Sequence, residues 1–90
     1  MVNANGTLAR GFGVISSSRL AVGQYQVIFI QNVTRSAYLA TIGLTGSAGV
    51  SPPGEIAVVG RAGNPNGVFV QTFTSAGVPD DRSFHLHVSS

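Results

Sequence analysis

The stretch "QYQVIFI", Gln24–Ile30, decides how the rest of the chain reads. Side chains alternate across a strand, so Tyr25, Val27 and Phe29 share one face, while Gln24, Gln26, Ile28 and Ile30 share the other. The first set is wholly apolar and predicts a core face. The second mixes glutamine with isoleucine, so this strand carries apolar surface on both sides. The doubling recurs in Val68–Thr74, where Val68 and Val70 oppose Phe69 and Phe73, and in Glu55–Gly60, where Ile56 and Val58 oppose Ala57 and Val59. A sheet with one solvated face alternates apolar and polar residues cleanly, so strands of this kind call for cover on both faces.

The remaining chain is punctuated rather than periodic. Twelve glycines and four prolines are spread along it, and no window keeps apolar residues at helical spacing. Short strands are expected at Thr7–Arg10, Phe12–Leu20, Gln24–Ile30, Ser36–Gly43, Glu55–Gly60, Val68–Thr74 and Ser83–Val88, with Leu44–Gly54 as the longest loop. The fold class this predicts is all-β: one small antiparallel β-sandwich or barrel of about seven short strands over residues 1–90. Between two of those strands lies "RAGNPNG", Arg61–Gly67. Proline presets the second position of a turn, asparagine tolerates the third, and glycine at the fourth is expected to take a left-handed conformation. A tight hairpin connection accounts for every residue there. Loops on rigid scaffolds are also where binding sits, which makes Arg61, Asn64 and Asn66 the candidate binding residues of the tip.

Composition points to assembly. Only 9% of the 90 residues are charged and 43% are hydrophobic, against roughly 25% charged in an average domain. A chain this short buries only about 60% of its unfolded surface and needs a staple. With no cysteine and no metal-ligand cluster in the sequence, association of copies is the expected one. The five cations, Arg10, Arg19, Arg35, Arg61 and Arg82, stand singly, which does not build the basic stripe of a nucleic-acid face despite the net charge of +2. No apolar run approaches the ~20 residues that cross a bilayer, and the start lacks the pattern of a signal peptide. The chain reads as a domain excised from a longer one behind an added Met1. Absence of cysteine is compatible with a cytosolic or an exported home.

Chemical signatures are sparse. His85 and His87, two apart in a strand, project from one face, but a pair of ligands does not complete a metal site, and Phe84, Leu86 and Val88 alternate with them as in an ordinary strand. Asp80 and Asp81 in "GVPDDRS" suit a turn in which carboxylates cap amides. "TGSAG" is not a nucleophile elbow, and "GFG" lacks the third glycine of a dinucleotide loop. Asn5-Gly6-Thr7 and Asn32-Val33-Thr34 match the N-glycosylation pattern. The seven aromatics, Phe12 among them, read as core, with only Phe69 and Phe73 as stacking platforms of the kind a small barrel on single-stranded nucleic acid requires. No cofactor, catalytic residue or metal is assigned, and the chain is expected not to be an enzyme.

The segments "NANGTLARGFGV", "PPGEI", "GRAGNPNGVFVQT" (Gly60–Thr72) and "DRSFHL" carry a resemblance. Across Val2–Val88 the chain resembles the C-terminal globular domain that follows collagen-like Gly-X-Y repeats in bacterial, especially actinobacterial, surface proteins. The resemblance implies an extracellular or cell-surface location and a homotrimer, because three collagen chains need a unit that sets their register. It also places cysteines where this chain has Ser36 and Ser90, implying that those two Cα atoms lie within about 7 Å. His87 departs from the pattern, whereas His85 fits it. The expected function is a non-catalytic, trimerising head domain with Ile28, Ile30, Val59, Phe69 and Phe73 as its interface. The alternative is a head that binds a glycan or a surface receptor through the Arg61–Asn66 tip and the Leu44–Pro53 loop. Neither nucleic acid nor membrane insertion is expected.

Overall fold

A computed structural model describes residues 1–46, 49 and 52–89 of the chain. Among these residues the fold is all-β, with six strands: β1 (Val14–Ala21), β2 (Gln24–Phe29), β3 (Ala37–Ile42), β4 (Glu55–Gly60), β5 (Gly67–Phe73) and β6 (Phe84–Ser89). They form two antiparallel sheets, ordered β1-β2-β5-β4 and β3-β6, stacked as a small sandwich. The expected seventh strand at Thr7–Arg10 is not one. Only Leu8 of that segment makes a bridge, to Val2, because the chain turns back on itself there with Asn3 N–H donating to Thr7 O and Ala9 N–H to Met1 O.

Strand β2 lies inside the larger sheet, antiparallel to β1 on one side and to β5 on the other. Its alternation acts as the sequence indicates: Tyr25 and Val27 are fully buried, Phe29 packs against them, and Ile28 faces outward half-buried. Val68 and Val70 of β5 are buried on the same side, and Ile56 and Val58 of β4 pack against that cluster. From the smaller sheet, Phe84 closes the core, its ring edge-on to Tyr25 with centroids 5.2 Å apart. The Tyr25 hydroxyl escapes the apolar interior by donating to Ala4 O at 2.6 Å.

Two devices fix the start of β6. Val2 pairs with Phe84 through both backbone bonds (Val2 N to Phe84 O 2.9 Å, Phe84 N to Val2 O 3.0 Å), adding a single-residue strand to the free side of β6. The segment just before β6 is tied to the larger sheet. Thr72 Oγ1 donates to Asp80 O at 2.7 Å, and Asp81 accepts the Gly23 amide at 2.8 Å and Arg19 Nε at 2.9 and 3.0 Å. Gly23, at φ 66°, makes the approach possible, because a Cβ there would meet Thr72 O at 2.4 Å. Among the described residues no buried side-chain nitrogen or oxygen is left without a partner. The Cα radius of gyration, 12.2 Å, is that of a compact chain of this length, about 12 Å. Apolar exposure is therefore not a sign of an open structure.

β3 and β6 pair from Ala37↔Ser89 to Ile42↔Phe84. Ser36 thus sits one residue before the β3 position that faces Ser89. Ser90, named with it in the expected pairing, lies outside the described residues, as does part of the Leu44–Pro53 loop.

Removing the ring that closes the core, Phe84→Ala, lowers stability in urea melts by about 3–5 kcal/mol, which is most of what a domain this small has. Acid sensitivity has an identifiable source in Asp81. Burial pushes its carboxyl up, but the Gly23 amide and then the Arg19 guanidinium outweigh that and hold it below its ordinary value of 3.8. A carboxylate held low when folded stabilises the fold above its unfolded value, and that contribution is lost as pH falls through the folded one. The urea midpoint of the wild type therefore declines more steeply below about pH 4 than that of Asp81→Asn.

Candidate functional site

The outer face of the larger sheet is a grid whose rows are set by strand register. Gln26 of β2, Phe69 of β5 and Val59 of β4 stand opposite one another, as do Gln24, Gln71 and Ala57 in the next row. Ile28 lies opposite Gly67 and Phe73 opposite Glu55, which is exposed. Four of the expected interface residues, Ile28, Val59, Phe69 and Phe73, thus share one face, with Val59 56% exposed. Among the described residues the strands form two sheets, and no third sheet lies over this face; Ile28, Phe69 and Phe73 on it are half-buried.

Ile30 parts from that set. β2 ends at Phe29, and Ile30 N–H donates to Gly13 O, which brings its side chain to the rim of a groove between the sheets, 68% exposed. Strand parity predicts a shared face only while the strand lasts.

Arg61 belongs to the sheet face as much as to the tip. Its Nε donates to Gln26 Oε1 at 3.1 Å, and the guanidinium carbon stands 5.9 Å from the centroid of the Phe69 ring. A cation over an aromatic face at a half-exposed site gains about 0.5–1 kcal/mol. Asn64 and Asn66 are spent on structure: Asn64 Oδ1 accepts the Asn66 amide, and Asn66 Nδ2 donates to Phe29 O. The tip's carbonyls are also engaged, Asn66 O by Phe29 N–H at 2.8 Å and Pro65 O by Val33 N–H at 2.9 Å. This loop is therefore docked on the end of β2, with Ala62, Gly63 and Pro65 left exposed at its tip. The expected left-handed glycine is Gly63, at φ 78°, and not Gly67. Gly67 closes the turn with a 3.0 Å bond to Asn64 O, and glycine is required there for space: a Cβ would lie 2.9 Å from Arg61 Cβ and 3.1 Å from Ile28 Cδ1.

The other motifs resolve in the same direction. In both Asn-X-Thr triplets the asparagine Oδ1 accepts the amide and the hydroxyl of the threonine two residues on, forming local turns, and the second of these carries buried Val33 into the core. Asp80 caps the Asp81 amide and pairs with Arg82 at 2.8 Å. His85 Nε2 donates to Leu44 O at 2.9 Å, while His87 is exposed opposite Leu39. Among the described residues no group of three or more His, Cys, Asp or Glu side chains is placed to hold a metal.

One feature contradicts the sequence reading outright. Phe12, grouped with core aromatics, is 99% exposed. It stands between Gly11 and Gly13, with Gly13 at φ 73° and bonded to Ile30, so the backbone directs it away from its own core. A lone aromatic flanked by two glycines was the available signal. The ring borders the groove, a space of about 710 Å³ walled by Val14, Val27, Phe29, Val33, Leu86 and Val88.

No protein-family model, no curated protein and no solved structure matches this chain.

The turn makes a prediction that separates packing from exposure. Gly67→Ala lowers stability by about 1–3 kcal/mol through overpacking against Arg61 and Ile28. Arg61→Ala changes it by less than about 1 kcal/mol. Paired chemical melts of the two variants check both values.

Proposed function

We propose that this domain is a non-catalytic self-association module, a trimerising head of the kind found beside collagen-like repeats on bacterial surfaces. The observation that supports it is the outer face of the larger sheet, where exposed Val59 stands with half-buried Ile28, Phe69 and Phe73 on a sandwich that is already compact. Extended apolar surface on a small domain marks an interface. The occupant is a second copy of the chain, because the grid is neutral except for Arg61 and Glu55, which stand on the same face and so complement each other between copies. Glutamine amides between the apolar side chains supply donors and acceptors for the polar part of such an interface. Copies arranged about a closed axis bury this surface without leaving an open end.

Light scattering across a size-exclusion peak is the test. At about 50 µM the wild type has a mass near three times its 9.2 kDa. Phe69→Glu combined with Val59→Glu reduces that mass while the far-ultraviolet spectrum stays β-type. A wild type that runs as a monomer at this concentration overturns the reading.

A further inference from the structure

The outer sheet face does not account for Phe12 or for the groove beside it. The groove opens between the end of β1–β2 and the C-terminal half of β6, and its walls are the flank of the core itself: Val27 and Val33 are buried residues, and Phe29, Leu86 and Val88 pack against them. Among the described residues that line it there is no carboxylate, and the two cations at its edge are committed: Arg10 Nη2 donates to Thr45 O at 2.9 Å and the Met1 ammonium to Arg10 O at 2.8 Å. Such a space suits a neutral, flat, apolar group. One stands at the rim of every copy.

We propose that Phe12 of one copy of this chain seats in the groove of another copy. The inference rests on the self-association reading and adds a second contact to it. The occupant is argued from area. Phe12, Ile30 and Leu8 are 99%, 68% and 38% exposed. Together they leave roughly 400 Å² of apolar side chain around the opening, about half of the roughly 800 Å² that each partner buries in a standard interface. In the single chain the Phe12 ring stands 99% exposed at the rim of its own groove and does not fill it. Delivered by a neighbour, the ring meets Phe29 and the aliphatic walls. The neighbour thereby supplies the side chain that completes the groove.

The chain has no cysteine, which allows a clean cross-linking test. Phe12→Cys chains carrying a tag are mixed with untagged Val88→Cys chains, unfolded and refolded together, and mildly oxidised; Val88 lines the groove and is only partly buried. The expected product is a covalent heterodimer in clear excess over that formed with Val78→Cys, an exposed position on another turn. In parallel, Phe12→Ser keeps the wild-type spectrum, as a fully exposed side chain must, and raises the dissociation constant at least about tenfold. An assembled wild type whose Phe12→Ser variant associates equally well, with no excess of the Phe12–Val88 product, overturns this inference and leaves the self-association reading standing. A monomeric wild type overturns both.

Discussion

The contact on which the two layers depend is the edge-on packing of Tyr25 against Phe84. Tyr25 comes from an interior strand of the larger sheet and Phe84 from the first position of β6, so this one pair spans the sandwich. Both rings are fully buried, and burying side chains of this size is worth about 1.5–3 kcal/mol each. Much else is arranged to make that burial possible. Ala4 O takes the tyrosine hydroxyl, Val2 completes the backbone of Phe84, and the Thr72 and Asp81 bonds hold the incoming chain so that β6 starts in the right place.

A sandwich with four strands on one side and two on the other is lopsided. The smaller sheet supplies enough side chains to cover the inner face of the larger one, with β3 lying beside β4 at one flank. Its outer face, Leu39 and Thr41 opposite His87 and His85, is mixed in polarity. The larger sheet keeps Val59, Phe69 and Phe73 outside, and the flank away from β3–β4 contact stays open as the groove beside Phe12. The two apolar surfaces thus have a common origin: the described residues, six short strands with no helix among them, build a core of two layers and no third. The proposed assembly has copies of the chain serve as that layer.

Several residues that looked chemical turn out to be architectural, and for one reason. In a fold this small nearly every loop is within a few residues of the core, so its polar side chains are needed to satisfy backbone groups where strands end. Asn64 and Asn66, both Asn-X-Thr triplets, and Asp80 with Asp81 are all used in this way. Arg61 is the candidate of the tip that reaches beyond it, and it reaches back across the sheet face to Gln26 and Phe69.

Period-two alternation alone was enough to assign Tyr25 and Val27 to the core with Ile28 on the opposite face, and to set Val68 and Val70 opposite Phe69 and Phe73, because strand geometry leaves a side chain only two directions; which side of β5 is buried came from the structure. The all-β class and the hairpin at Arg61–Gly67 were legible for the same local reason, being written in residues a few positions apart. Tertiary structure decided what depends on contacts between distant segments. Val2 became a strand in place of Thr7–Arg10 because the open edge of β6 offered it a partner. Ile30 left the face of Ile28 because β2 stops and Gly13 captures it. Gly67 is needed for the room it leaves Arg61 and Ile28, and Phe12, apolar and ringed by strand signals, stands in solvent because two glycines and a distant backbone bond turn it outward. Alternation specifies which way a side chain points along its own strand, while what lies there to meet it is set by chain closure over tens of residues.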